Sequence, residues 1–280
     1  MLCLVCTWTY AQIQGIPYFE NFDSFPVDNA TFGPGAEPNP FPNGWVNVDS
    51  LDDGQDWYGR SIATGSSNTG PTGDHTSGTG TYVYVEDGWG NNTNVALESP
   101  PIDLSSLDSN DTYFMEYWAH SWSLEPSGNL MSVDIYDGSV WTNDVDTFRI
   151  LTTTDTWILR SIALNQWYGD TIIVRFRGDN SVTGFEHDIA IDDFSVFDPN
   201  VVTITASATD AICNGGPSGT ASATVLTGPG PYTYVWSNGD TTSSIFNLTA
   251  GTYCVTVTGS TGSLDTACVT VGEPAAITFD

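Results

Sequence analysis

No lysine occurs anywhere in these 280 residues, and five arginines face 34 aspartates and glutamates, a formal net charge of −29. Nucleic acid is excluded as a partner, because phosphate recognition needs clustered cations that this chain does not supply. An anionic membrane surface repels it for the same reason. No apolar run approaches the roughly 18 residues of a membrane-spanning helix, so direct membrane insertion is not expected. Good helix formers are scarce, and no long stretch shows a 3.6-residue apolar period. Among the five cysteines no CxxC or Cys/His spacing points to zinc. Neither HExxH nor GxSxG accompanies His75, His120 and His187, which leaves no motif for a metalloprotease or a serine hydrolase.

What is present indicates a folded, exported protein. Hydrophobic residues make up 40% and aromatics 12% of the chain, whereas a disordered acidic chain is depleted of both. So high a charge opposes compaction unless cations screen it or bind at defined carboxylates, which fits a calcium-containing, secreted or cell-surface setting. The start, MLCLVCTWTYAQ, reads as the tail of a secretory signal, with residues 1–11 removed after Ala11 and Cys3 and Cys6 lost with them. Lipid attachment at Cys6 is the rival reading, without its usual flanking pattern.

Period-two alternation between turn residues dominates the sequence, as in TYVYVE (81–86), TYFMEYWAHSWS (112–123), LMSVDIYDG (130–138), DTIIVRFRGD (170–179) and HDIAIDDFSVF (187–197). The fold class is therefore all-β. Around FDPN (197–200) acids thin out, Arg disappears, and Thr, Ser, Ala and Gly take over, which predicts domains at 12–199 and 201–276 and the start of a further element at 277–280. Short strands at close spacing in the second segment suit a small immunoglobulin-like sandwich. Cys254 and Cys268 lie in two β-patterned runs joined by a Gly-rich turn. They can face each other and oxidise, leaving Cys213 free, although pairing of Cys213 with either stays open.

Several segments resemble the MAM family of extracellular domains, in the family's order: FEN (19–21), GW (44–45), DW (56–57), NTGPTGDHTSGTGTYVYVE (68–86), ALESPPIDLSS (96–106), MEYWAHSW (115–122) and IAIDDFSV (189–196). The resemblance implies a jelly-roll-like β-sandwich used for adhesion or oligomerisation in modular surface proteins, without enzymatic activity. The cysteines that form disulfides in animal members are absent, which favours a bacterial relative. Residues 210–273 resemble the SprB-type repeat of large surface adhesins, through Cys213-Asn-Gly-Gly, Gly219, PYTYVWSNG (231–239), NLTAGTYCVTVTG (247–259) and VTVGEP (269–274). Where that repeat has Gly-Cys in the turn after its Thr-Val-Thr strand, this chain has GSTGS.

The MAM-like motifs place Glu20, Asp56, Asp74, Asp192 and Asp193 where they could converge on calcium, which takes six to eight oxygen ligands. Solvated surface acids are the alternative. His75, in the DHT motif, reads as a turn hydrogen-bonder. Trp89, in EDGWGNNTN, could stack on a sugar or a protein, or fold back as a loop anchor, and Trp122 is a second such residue. Paired carboxylates for glycoside hydrolysis carry no signal in so acidic a chain. The expected function is non-catalytic adhesion or recognition of an extracellular protein or glycan, with homophilic association also open. The alternative is a carbohydrate-binding accessory module of a longer secreted hydrolase or peptidase.

Overall fold

In the computed structural model, residues 13–27, 41–48, 57–64, 70–85, 95–122, 130–148, 154–179 and 188–276 are described. Apart from two single 3₁₀ turns, Pro42–Gly44 and Asn165–Trp167, the described residues contain no helix. The chain divides into two compact units between Val196 and Phe197.

Among the described residues, twelve strands carry the first unit: β1 (Tyr18–Glu20), β2 (Val46–Val48), β3 (Trp57–Arg60), β4 (Tyr82–Val85), β5 (Val95–Glu98), β6 (Ile102–Asp103), β7 (Phe114–Trp122), β8 (Leu130–Tyr136), β9 (Trp141–Phe148), β10 (Ile158–Ala163), β11 (Thr171–Asp179) and β12 (Asp188–Phe197). One sheet has the order β10-β7-β12-β4-β3, with β1 also on β12. The other runs β2-β5-β11-β8-β9, with β6 also on β11. The order is far from sequential, and every strand pair with a known register is antiparallel, as in a jelly-roll sandwich.

Alternation in the sequence becomes the two faces of each sheet. Met115, Tyr117 and Ala119 of β7 are fully buried, as are Ile172, Val174 and Phe176 of β11. Between them Glu116, Trp118, Arg175 and Arg177 point the other way. Phe176 is the hub of the core, with ring centroids 5.0 Å from Tyr117, 5.9 Å from Phe194, 6.3 Å from Trp45 and 6.5 Å from Trp57. Each such ring contributes about 1.5–3 kcal/mol by leaving water. The two indoles bring a polar group inside, and each finds an acceptor: Trp45 Nε1 donates to Tyr18 Oη at 3.0 Å and Trp57 Nε1 to the Val95 carbonyl at 3.4 Å. On one side a clasp links the edge strands of the two sheets. There Arg160 of β10 pairs with Asp146 of β9, whose Oδ2 also accepts from Tyr117 Oη at 2.8 Å.

The second unit holds β13 (Thr203–Thr209), β14 (Gly219–Thr227), β15 (Thr233–Trp236), β16 (Ser244–Leu248), β17 (Gly251–Thr258) and β18 (Leu264–Val271). They form two three-stranded sheets, β13-β14-β16 and β15-β17-β18, around Trp236, Ile245, Leu248, Val255, Val257 and Val271. The β17–β18 hairpin turns at Gly262, whose φ of +84° is a conformation that glycine adopts at no steric cost. In that register Cys254 sits directly opposite Cys268, and the two are disulfide-bonded. Hydroxyl contacts flank the bond on the same face, Thr252 with Thr270 at 3.4 Å and Thr256 with Thr266 at 2.9 Å. Cys213 is free and exposed.

Candidate functional site

Strand β12 breaks its own alternation. Ile189 and Ile191 face the core, and so do Phe194 and Val196, so one residue is extra between the two pairs. The surplus is taken up at Asp193, whose φ of +49° is a left-handed conformation more accessible to Asp than to most residues. The break lies where β12 exchanges one neighbour for another: residues 189–191 pair with β4 and residues 194–196 with β1. It turns both carboxylates of the Asp-Asp pair toward the 70–80 loop. Asp192 Oδ2 accepts from the His75 backbone N–H at 2.8 Å, and Asp193 Oδ2 meets His75 Nδ1 at 2.8 Å and the Thr76 hydroxyl. The imidazole of His75 lies flat on Trp118, with ring centroids 3.6 Å apart.

Asp74 organises the loop itself, accepting from Ser77 N at 2.9 Å and Gly80 N at 2.6 Å. Gly80 shows how tightly the acids are drawn together. A Cβ there would fall 2.4 Å from Asp23 Oδ1 and 2.9 Å from Asp74 Oδ2, so only glycine lets both carboxylates close on this point. Asp23 Oδ1 also accepts from Thr81 N at 2.8 Å. Glu20, paired through β1 with Phe194, accepts from Phe22 N at 3.0 Å and Asn43 Nδ2 at 2.9 Å.

Burial and hydrogen bonding bias the protonation of these acids in different directions. Burial, reinforced by the charge of Asp193 and more weakly by that of Asp74, pushes Asp192 up to about 8 against the two N–H groups that oppose it. Burial also raises Glu20, more than its hydrogen bonds lower it. Asp74 goes the other way, because its backbone and hydroxyl donors outweigh its desolvation. Of the residues expected to bind metal, Glu20, Asp74, Asp192 and Asp193 thus lie on β1, the 70–80 loop and the break in β12, each already engaged by N–H or O–H donors. Among the described residues no three His, Cys, Asp or Glu side chains form a ready-made ion cage. Asp56, Trp89 and the side chain of Trp122, at the end of β7, fall outside the described residues. Asp23 was legible only as the acid three places after Glu20, and the sequence did not single it out.

A second polar cluster lies on the outer face of the same sheet. His120 of β7 is fully buried, its Nε2 2.9 Å from Asp155 Oδ1, while Thr72 donates to Asp155 Oδ2 at 2.6 Å. Trp157 packs edge-on against the imidazole at 5.2 Å. With the proton on Nε2, where Asp155 needs it, Nδ1 has no partner. Burial lowers the His120 pKa although Asp155 opposes this. A depressed folded pKa contributes stability that is present above the unfolded value and lost as pH falls through the folded one. Relative to His120→Gln, the wild type should therefore lose melting temperature between about pH 7.5 and about pH 5. A constant difference between the two proteins across that range would show that His120 does not titrate with folding.

The fold places the chain among all-β proteins, with paired sheets in each of its two units. More specifically, residues 205–241 match the family described as SprB repeat. Solved structures similar to the chain include the K1 cleaved adhesin domain of Lys-gingipain from Porphyromonas gingivalis W83, at 15% identity and a TM-score of 0.41, covering 64% of this chain and 96% of that one. The K3 cleaved adhesin domain of the same protein has 17% identity and a TM-score of 0.40, covering 55% and 91%. A carbohydrate-binding module, CBM27-1 of Caldicellulosiruptor saccharolyticus, solved with mannohexaose, has 12% identity and a TM-score of 0.33, covering 55% and 90%. At these values the three likenesses carry no functional argument.

Proposed function

We propose that the chain is a non-catalytic recognition module that acts outside the cell, holding a surface to a protein or glycan. The observation that carries this reading is the SprB-repeat match of residues 205–241 in a small, disulfide-bonded sandwich. The MAM-like motifs of the first unit support it, since adhesion is what that resemblance implies. No helix among the described residues is long and apolar enough to cross a membrane. The test is display of the chain on a non-adherent bacterium. Attachment to glycan- or protein-coated glass that rises with display level supports the reading, and attachment no better than an undisplayed control contradicts it.

Calcium belongs to the same proposal. Asp23 and Asp74 close on the space beside Gly80, and Asp192 is buried beside the charges of Asp193 and Asp74, so this place favours a positive charge, which a dication would supply in exchange for the proton that Asp192 otherwise keeps. Glu20, Asp74 and Asp193 would hold it, with Asp56 and Asp192 as further ligands and backbone carbonyls completing the shell. The ion supplies cross-linking charge only. Extracellular calcium modules have dissociation constants of about 10⁻⁴–10⁻³ M. A hundredfold excess over such a value stabilises by about 2.7 kcal/mol, or about 5–10 °C in melting temperature for a unit of this size. The measurement is melting in calcium against chelator at constant ionic strength, for wild type, Glu20→Gln, Asp74→Asn and Asp193→Asn. A shift that magnesium reproduces in full, or that all three variants keep, contradicts the assignment.

The second reading is a carbohydrate-binding accessory module of a longer secreted hydrolase or peptidase. It is favoured by the aromatic and charged outer face of the sheet that contains β5, β8, β9 and β11.

A further inference from the structure

On that outer face, two rows of side chains run across the strands. Glu98 of β5, Arg175 of β11 and Asp134 of β8 are in register, and in the next row Ile173, Tyr136 and Trp141 follow one another across β11, β8 and β9. Asp134 is fully buried and fixes both arginines. Its Oδ2 receives Arg175 Nε at 2.9 Å, Arg175 Nη2 at 2.6 Å and Arg177 Nε at 2.7 Å, and its Oδ1 receives Arg177 Nη2 at 3.1 Å and the Asp144 N–H at 2.9 Å. The Arg175 guanidinium lies 3.8 Å from the Trp141 ring centroid, and Tyr136 stands beside Trp141 at 5.2 Å and 37°. Tyr136, Trp141, Arg175 and Glu98 are all partly exposed.

Three features of this arrangement describe a ligand. Hydrogen-bonding capacity is left over on both sides: among the described residues the Glu98 carboxylate receives no hydrogen bond, and Nη1 of Arg175 and of Arg177 donates none. The positions of these groups are fixed, because Asp134 and Trp141 hold the guanidinium of Arg175 from two directions, so little rotamer freedom is lost on binding. Charge is nearly balanced, with Asp134, Asp144 and Glu98 against Arg175 and Arg177, two of the five arginines in a chain without lysine. A strongly basic or strongly acidic partner gains little from such a face. A polyhydroxylated ring suits it, since its hydroxyls can donate to a carboxylate and accept from a guanidinium, while its C–H faces lie against aromatic rings.

We propose that the face formed by Glu98, Arg175, Arg177, Tyr136 and Trp141 is a binding site for a neutral glycan. The inference rests on the recognition reading and gives it a ligand class and a location. It is tested on the full chain by calorimetric titration with manno-, cello-, laminari- and xylohexaose. Saturable binding of at least one of them is expected. It should weaken about tenfold or more in both Trp141→Ala and Glu98→Gln, as the loss of about 1.4 kcal/mol requires. Glu98→Gln keeps the size and shape of the side chain, so its loss of binding at unchanged melting temperature cannot be attributed to unfolding. Raising salt should change the affinity little, because the ligand is uncharged. Three outcomes overturn the proposal: no binding to any of the four glycans, wild-type affinity in both variants, or binding that high salt abolishes. If the chain binds none of the glycans yet still attaches to protein-coated glass, this site is wrong and the recognition reading survives. Loss of attachment as well removes both.

Discussion

Serine at both Cys254 and Cys268 should lower the unfolding midpoint of the second unit by about 12–24 °C. The disulfide joins residues 14 apart in sequence. Closing a loop of about that length in the unfolded chain is worth about 3 kcal/mol. In a domain of 60–100 residues each kcal/mol moves the midpoint by about 4–8 °C. The effect is large because the second unit has a small core, ten buried side chains with one tryptophan among them. Calorimetry of the whole chain carries its own reference, since the transition of residues 1–196 should stay where it is. Reduction of the wild type should reproduce the shift. An unchanged midpoint would mean that the hairpin, with its hydroxyl contacts on either side of the bond, is already fixed in the unfolded chain.

Asp134→Ala should destabilise the first unit by about 3–5 kcal/mol, because it leaves two guanidinium groups without the buried carboxylate that neutralises them. At about 2–4 °C per kcal/mol the midpoint falls by about 6–20 °C. Burial alone would raise the pKa of Asp134. Hydrogen bonds from Arg177, the Asp144 N–H and Arg175 outweigh it and hold the carboxyl below its usual range. A depressed folded pKa gives stability that is present above the unfolded value and lost as pH falls through the folded one. The advantage of wild type over Asp134→Asn should therefore shrink in acid, below about pH 3.9. Equal stability of the two proteins at neutral pH would show that the arginines find water or other acceptors when the carboxylate is gone.

Much of this architecture was legible as alternation. The runs that became β7, β11 and β12 show their buried faces directly, and the second unit is readable as short β-patterned runs separated by Gly-containing turns. The break in β12 was legible in principle as a slip in phase between Ile189, Ile191 and Phe194, Val196, although the sequence shows nothing of where the freed carboxylates go. The contacts that define the sites depend on register between distant strands. Asp134, between Val133 and Ile135, reads as an outward, solvated acid, and it is buried because Arg175 and Arg177, some forty residues later, fold over it. Nothing in the sequence distinguishes Trp141, since its significance comes from facing Tyr136 and lying under Arg175. Asp23 and Asp74 are brought together by the absence of a side chain at Gly80, which no spacing rule reveals. In the sequence His120 is one more polar residue in a β-patterned run, and it becomes a buried, half-satisfied imidazole only once Trp157 and Asp155 cover it.

The claim that this is a recognition module, and not an enzyme, is tested most directly by measuring binding and turnover on the same ligand. The purified chain, in calcium, is titrated onto surfaces coated with neutral polysaccharide or with extracellular protein, and the coat is then recovered and its mass distribution measured. Saturable, reversible binding to one of these surfaces, with the coat recovered unchanged after long incubation, is the result expected. Shortened glycan or clipped protein that appears in proportion to the amount of chain added, or no saturable binding to any surface, would contradict it.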